Sequence, residues 1–144
     1  MVARKTIVLK GHQFGIRVER KAAAAITPGD LIQYTSTDLF QRAGVAAVAY
    51  PPIFAVENEV FGKGIEVDYG VNDQVLAEAC HSGMEVYACL AAAAVAIVVG
   101  DFLTPAADGT LRKVVTTDYR IAVALEAVDN SAGGGKVHIH CAIL

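Results

Sequence analysis

The stretch EVYACLAAAAVAIVVGDFLTPAADGTLRKVVTTDYRIAVALEAV, Glu85 to Val128, decides the fold class. Its apolar runs are short: Val86 to Leu90, Val95 to Val99, Val114-Val115 and Ile121 to Leu125. Turn signals at Gly100-Asp101 and Asp108-Gly109 divide them. An Asp-Gly pair suits a backbone with φ > 0, so Asp108-Gly109 is expected to turn a hairpin. Pro105 removes a backbone donor after Leu103-Thr104, which fits a strand end and not a strand centre. The stretch therefore reads as four closely spaced strands, and no catalytic motif lies in it.

Downstream, Val137-His138-Ile139-His140-Cys141-Ala142-Ile143-Leu144 alternates along its whole length. Val137, Ile139, Cys141 and Ile143 fall on one face of a strand, His138 and His140 on the other. Two imidazoles on one face have the spacing to reach one metal ion. A third ligand is missing locally, because Cys141 points to the opposite face and His12 and His81 are distant in sequence. The pair also fits two structural histidines at the surface or an interface.

Upstream, Pro28-Gly29 marks a turn, and Leu31 to Tyr34 and Leu39 to Arg42 read as strands. This order recurs. Gly29-Asp30-Leu31-Ile32 followed by Leu39-Phe40-Gln41-Arg42 parallels Gly100-Asp101-Phe102-Leu103 followed by Leu111-Arg112-Lys113. Ile65 to Tyr69 alternates as a further strand, with Glu66 and Asp68 on its solvent face. Gln74 to Ala79 reads as either a short helix capped by Asn72 or Asp73, or a strand. Gly62-Lys63-Gly64 lacks the spacing and the following hydroxyl of a phosphate-binding loop.

The 144 residues suit one domain with a substantial core. The longest uncharged run, between Glu85 and Asp101, falls short of the roughly 20 residues that span a bilayer. No transmembrane helix or secretory signal is expected, and the chain is expected to stay in the cytosol or be assembled there. Cys80, Cys89 and Cys141 form no CxxC spacing and read as buried free thiols.

Half of the 12 basic residues lie near the start: Arg4, Lys5, Lys10, Arg17, Arg20 and Lys21, against Glu19 alone on the acidic side. Residues 1–21 thus read as a basic N-terminal arm, partly extended, on a single β domain over 22–144. Strand-like alternation at Ile7 to Leu9 and Ile16 to Val18 competes with a free tail. Phe14 is the one aromatic there, which favours a protein neighbour over nucleic acid.

Several of these words resemble one family. Ala55-Val56-Glu57-Asn58, Gly62-Lys63-Gly64-Ile65, Gly83-Met84-Glu85-Val86, the alanine run, and Val99-Gly100-Asp101-Phe102-Leu103 are similar to tailed-bacteriophage head decoration (capsid cement) proteins. So are Asp108-Gly109-Thr110-Leu111-Arg112-Lys113-Val114 and Ile121 to Asp129.

The resemblance implies a compact antiparallel β-barrel or β-sandwich. It implies a non-enzymatic, cofactor-free structural protein on the outer capsid surface of a virion, bridging major capsid protein subunits as a homotrimer. Arg4, Lys5, Lys10, Arg17, Arg20 and Lys21 are then the candidate capsid contacts, and neither membrane nor nucleic acid is a direct partner. Alanines 91–94 would allow close approach of a symmetry mate. The alternative is a small cupin-like β-barrel that binds metal, or acts as an enzyme, through His138 and His140.

Overall fold

The alternation at the C-terminal end is realised as the longest strand of the fold. The computed structural model describes residues 4–92 and 95–144. Eleven strands occur among them. They are β1 (Val8–Lys10), β2 (Ile16–Lys21), β3 (Ile32–Tyr34), β4 (Phe40–Arg42), β5 (Ile53–Ala55) and β6 (Gln74–Ala79). There follow β7 (Glu85–Leu90), β8 (Phe102–Pro105), β9 (Leu111–Lys113), β10 (Ala122–Ala124) and β11 (Val137–Ile143). The only helical elements described are single 3₁₀ turns.

Strand β7 organises the larger sheet. Its neighbours run β7-β11-β10-β8-β9, and β9 returns to β7 through the parallel pair Leu90–Leu111, closing a five-stranded barrel. Strand β1 covers the other part of the same β7 edge, at Val86 and Glu85. A second sheet, β2-β6-β5, and the hairpin β3-β4 lie beside the barrel. The Leu31–Phe54 bridge links this hairpin region to β5. Ile139, Cys141 and Ile143 are buried while His138 and His140 are half-buried, as a period of two requires.

The barrel core holds Ile7, Leu31, Phe54, Val86, Leu103, Leu111 and Ile139. A second cluster under the smaller sheet contains Ile26, Ile32, Phe40, Ile53, Tyr69 and Val75. Each such side chain contributes about 1.5–3 kcal/mol by leaving water. Tyr69 brings a polar tip into that core and satisfies it, donating to the Val56 carbonyl at 2.7 Å. Desolvation, the largest influence, raises its hydroxyl to about 12. The three thiols are free and buried. Burial pushes Cys80 and Cys141 up to about 12 and Cys89 well above its ordinary value, so all three stay protonated at neutral pH.

The recurring Gly-Asp words share one local geometry. Thr27 N–H donates to Asp30 Oδ2 at 2.8 Å, and Asp30 N–H donates back to the Thr27 carbonyl at 2.9 Å. Val98 and Asp101 repeat the exchange at 2.9 and 3.1 Å. Gly29 (φ 98) and Gly100 (φ 92) occupy the left-handed third position of these turns, where a glycine avoids the Cβ penalty. A basic residue at the end of the returning strand completes each unit: Arg42 Nε reaches Asp30 at 2.7 Å, and Lys113 Nζ reaches Asp101 at 2.9 Å. Gly70 to Asp73 and Val115 to Asp118 carry the same carboxylate staple.

The Asp108-Gly109 hairpin forms as expected, with both residues at positive φ (61 and 74) between antiparallel β8 and β9. Pro105 ends β8, and Gln74–Ala79 is strand and not helix. Other expectations fail. Val95 to Val99 is no strand: Ile97 alone is buried, in an isolated bridge to Val128, and the Asp101 staple takes the Val98 N–H. The strand expected at Val114-Val115 lies earlier, at Leu111–Lys113. Ile65 to Tyr69 is irregular, with one bridge at Tyr69–Ile26, and Val67 is 43% exposed. Among the described residues no neighbouring strand runs alongside to pair with its alternation.

The competition between arm and strand within residues 1–21 is resolved at two places. Residues 8–10 pair with β7, and residues 16–21 pair with β6 at six successive positions. The boundary at 21/22 is crossed without a break, since Ala22 N–H donates to the Asp73 carbonyl at 2.9 Å.

Candidate interaction surface

Sheet pairing disperses the basic residues of the N-terminal stretch, and most meet a partner inside the chain. Arg4 donates through Nη2 to His140 Nδ1 at 3.0 Å and lies 5.9 Å above the Tyr87 ring. Lys10 pairs with Glu85 at 3.0 Å. Arg17 bridges the buried Glu78 at 3.2 Å and the exposed Glu59 at 3.7 Å. Arg20 pairs with Asp38 at 2.8 Å, and that carboxylate raises the guanidinium further above its ordinary value. Among the described residues, Arg4, Lys5 and Lys21 have no carboxylate at ion-pair distance, and of these Lys5 and Lys21 are exposed with no side-chain partner.

The two C-terminal imidazoles share a strand face but differ in their partners. His138 stacks on Tyr87 with ring centres 4.9 Å apart, and its Nε2 donates to the Pro28 carbonyl at 2.8 Å. His140 accepts from Arg4 at Nδ1, which leaves Nε2–H to donate to Glu85 Oε1 at 2.7 Å. Desolvation pulls the Glu85 carboxyl upward most, but Lys10 and His140 together hold it below its ordinary value. Among the described residues no three His, Cys, Asp or Glu side chains are grouped to hold a metal ion.

A surface feature that the sequence reading did not single out lies where β8 begins and β9 and β10 end. A shallow cavity of about 260 Å³ there is lined by Gly100, Asp101, Phe102 (38% exposed), Lys113, Val114, Thr116 and Arg120, and the exposed Val98 (55%), Val99 (64%) and Val115 (60%) flank these lining residues in the chain. Gly100 N–H donates to the Ala124 carbonyl at 2.9 Å and Val114 N–H to the Phe102 carbonyl at 2.9 Å, fixing the three segments to one another. The Arg120 guanidinium lies 4.4 Å above the Phe102 ring. The neighbouring cations are neutralised, Lys113 by Asp101 and Arg112 by Asp118, at 2.9 Å each. Among the described residues no carboxylate is at ion-pair distance from Arg120. In the sequence the one sign of this feature is an arginine beside an aromatic residue, Tyr119-Arg120, in a loop of polar and β-branched residues.

No protein-family model matches the chain, and no curated protein matches it in sequence. Among solved structures it is similar to the head fiber gp8.5 N base of bacteriophage phi29, with a TM-score of 0.59 and 16% sequence identity. The alignment covers 91% of this chain and 95% of that one, so it includes the barrel and the adjoining sheets alike. The chain therefore has the fold of a bacteriophage head protein, in line with the resemblance of its sequence to head decoration proteins.

Proposed function

We propose that this chain is a structural virion protein that decorates the outer surface of a tailed-phage capsid. In this reading it stabilises the shell by bridging major capsid protein subunits, acts as a homotrimer, and has no catalytic role. The observation that carries the reading is the fold likeness to a phage head-fiber base over nearly the full length of both chains. The surface is compatible with such a role. Exposed Val98, Val99 and Val115 stand on turns fixed by aspartate side-chain staples, a preorganised surface that loses little entropy on docking.

Lys5 and Lys21 are the members of the basic stretch best placed to meet an acidic neighbour. Arg4, Lys10, Arg17 and Arg20 would have to exchange their present partners. A trimer multiplies weak contacts, because each engaged copy raises the effective concentration of the next.

The test is co-sedimentation of purified protein with heads of the source phage that lack it, together with light scattering on the free protein. Binding at stoichiometric occupancy with a three-chain mass supports the reading, whereas no binding removes it. Charge reversal at Lys5 and Lys21 examines the contact residues. Deleting residues 1–21 would not, since it removes β1 and β2 from their sheets.

A further inference from the structure

We propose that the rim formed by Val98, Val99, Phe102, Val115 and Arg120 is a docking surface for an acidic, apolar-edged patch on a shell subunit of the phage head. Arg120 takes a carboxylate of that subunit. The inference rests on the virion reading above and deepens it by naming the contact.

Three cations stand at this end of the barrel and two carboxylates answer two of them, which leaves the Arg120 guanidinium to be paired from outside. Its planar fork matches a carboxylate in two parallel hydrogen bonds. The Phe102 ring beneath it restricts the side chain before any partner arrives, so less freedom is lost on pairing. The flanking valines and Phe102 would exclude water from that ion pair, and a charge pair is stronger when dry. An aromatic and an arginine inside an apolar surround is the composition that concentrates binding energy at protein interfaces.

The backbone beneath the rim is stiff. The Val98 to Asp101 and Val115 to Asp118 turns each tie their first N–H to the aspartate carboxylate, at 2.9 and 3.0 Å. A two-fold self-contact through this rim is disfavoured, because it brings two unpaired Arg120 guanidinium groups together, and the oligomeric mass of the variants tests any other self-contact.

The experiment is co-sedimentation with source-phage heads lacking the protein, comparing wild type with Arg120→Glu, Arg120→Lys, Val99→Asp and, as a control, Lys63→Glu. Lys63 sits in an exposed loop outside the rim. Circular dichroism and light scattering on each free variant report fold and oligomeric mass. The expected result is a loss of about tenfold or more in affinity for Arg120→Glu and Val99→Asp. A smaller loss is expected for Arg120→Lys, which keeps the charge without the fork, and none for Lys63→Glu. Val99→Asp, at an exposed turn position, carries the test if Arg120→Glu folds poorly. Wild-type affinity in folded Arg120→Glu or Val99→Asp overturns the rim while leaving the virion reading in place. A changed oligomeric mass in those variants also overturns it, by giving the rim to a second copy. Heads that fail to bind even the wild type overturn the virion reading and the rim with it.

Discussion

Asp30 and Arg42 meet at 2.7 Å between Oδ2 and Nε, with the aspartate entirely removed from solvent. The same carboxylate accepts the Thr27 N–H, and its second oxygen accepts Lys136 Nζ at 2.8 Å. One residue thereby joins the 27–30 turn, the end of β4 and the segment leading into β11. A buried charge survives only when its oxygens are paired in this way.

Replacing Asp30 leaves Arg42 and Lys136 facing a buried vacancy in charge. Asp30→Ala is expected to destabilise the protein by about 3 kcal/mol or more, and Arg42→Met by less because the guanidinium is partly solvated. Urea unfolding of the two single variants and the double variant checks this. The double variant should lose clearly less than the sum. Strict additivity would mean that the pair is not coupled.

Two glycines of the same local geometry differ in surroundings. A Cβ on Gly29 would stand 2.9 Å from the His138 ring and 2.9 Å from the Tyr87 carbonyl, whereas one on Gly100 meets nothing within 4 Å. Gly100→Ala then carries only the cost of its positive φ, about 1 kcal/mol, and Gly29→Ala at least twice that. Denaturant midpoints decide it, and equal losses would show that the His138–Tyr87 wall yields freely.

Thr104 on β8 is fully buried, and its hydroxyl has no hydrogen-bond partner among the described residues. Valine has the same branched shape without the desolvated oxygen. Thr104→Val is expected to raise stability by about 1 kcal/mol. A lower unfolding midpoint would contradict that and reveal a partner for the hydroxyl.

Acid stability should report on the second turn. The Val98 N–H, with Lys113 adding to it, holds the Asp101 carboxyl below its ordinary value of 3.8. The native state therefore binds fewer protons than the unfolded chain in that range. The contribution is complete above the ordinary value and is lost as pH falls through the native one. Asp101→Asn should flatten the acid limb of the stability curve, measured by unfolding midpoints from about pH 2 to 6. An unchanged limb would mean that the staple does not hold the carboxyl in solution.

What could be read in the sequence was local. Asp108-Gly109 and the alternation of residues 137–143 carry their conformations in a few neighbouring side chains, and both are realised. The recurrence of Gly29-Asp30 and Gly100-Asp101 was legible too, although the part played by Arg42 and Lys113 was not. Val95 to Val99 and Ile65 to Tyr69 look like strands by composition, yet a strand also needs a partner edge, which depends on segments elsewhere in the chain. The partners within the basic stretch were hidden for a related reason: Lys10, Arg17 and Arg20 meet Glu85, Glu78 and Asp38, and sequence separation conceals those pairings. Arg120 escaped notice because its place above Phe102 exists only once β8 lies beside β10.

Strand β11 lies between β7 and β10, and the residues that form it come late, at 137–143. A chain that stops short of residue 137 has every turn of the barrel and none of its keystone. Its β7 and β10 edges stay open, prone to pair with other chains. Closure of the barrel therefore depends on residues 137–143, and a chain cut before them exposes two pairing edges at once.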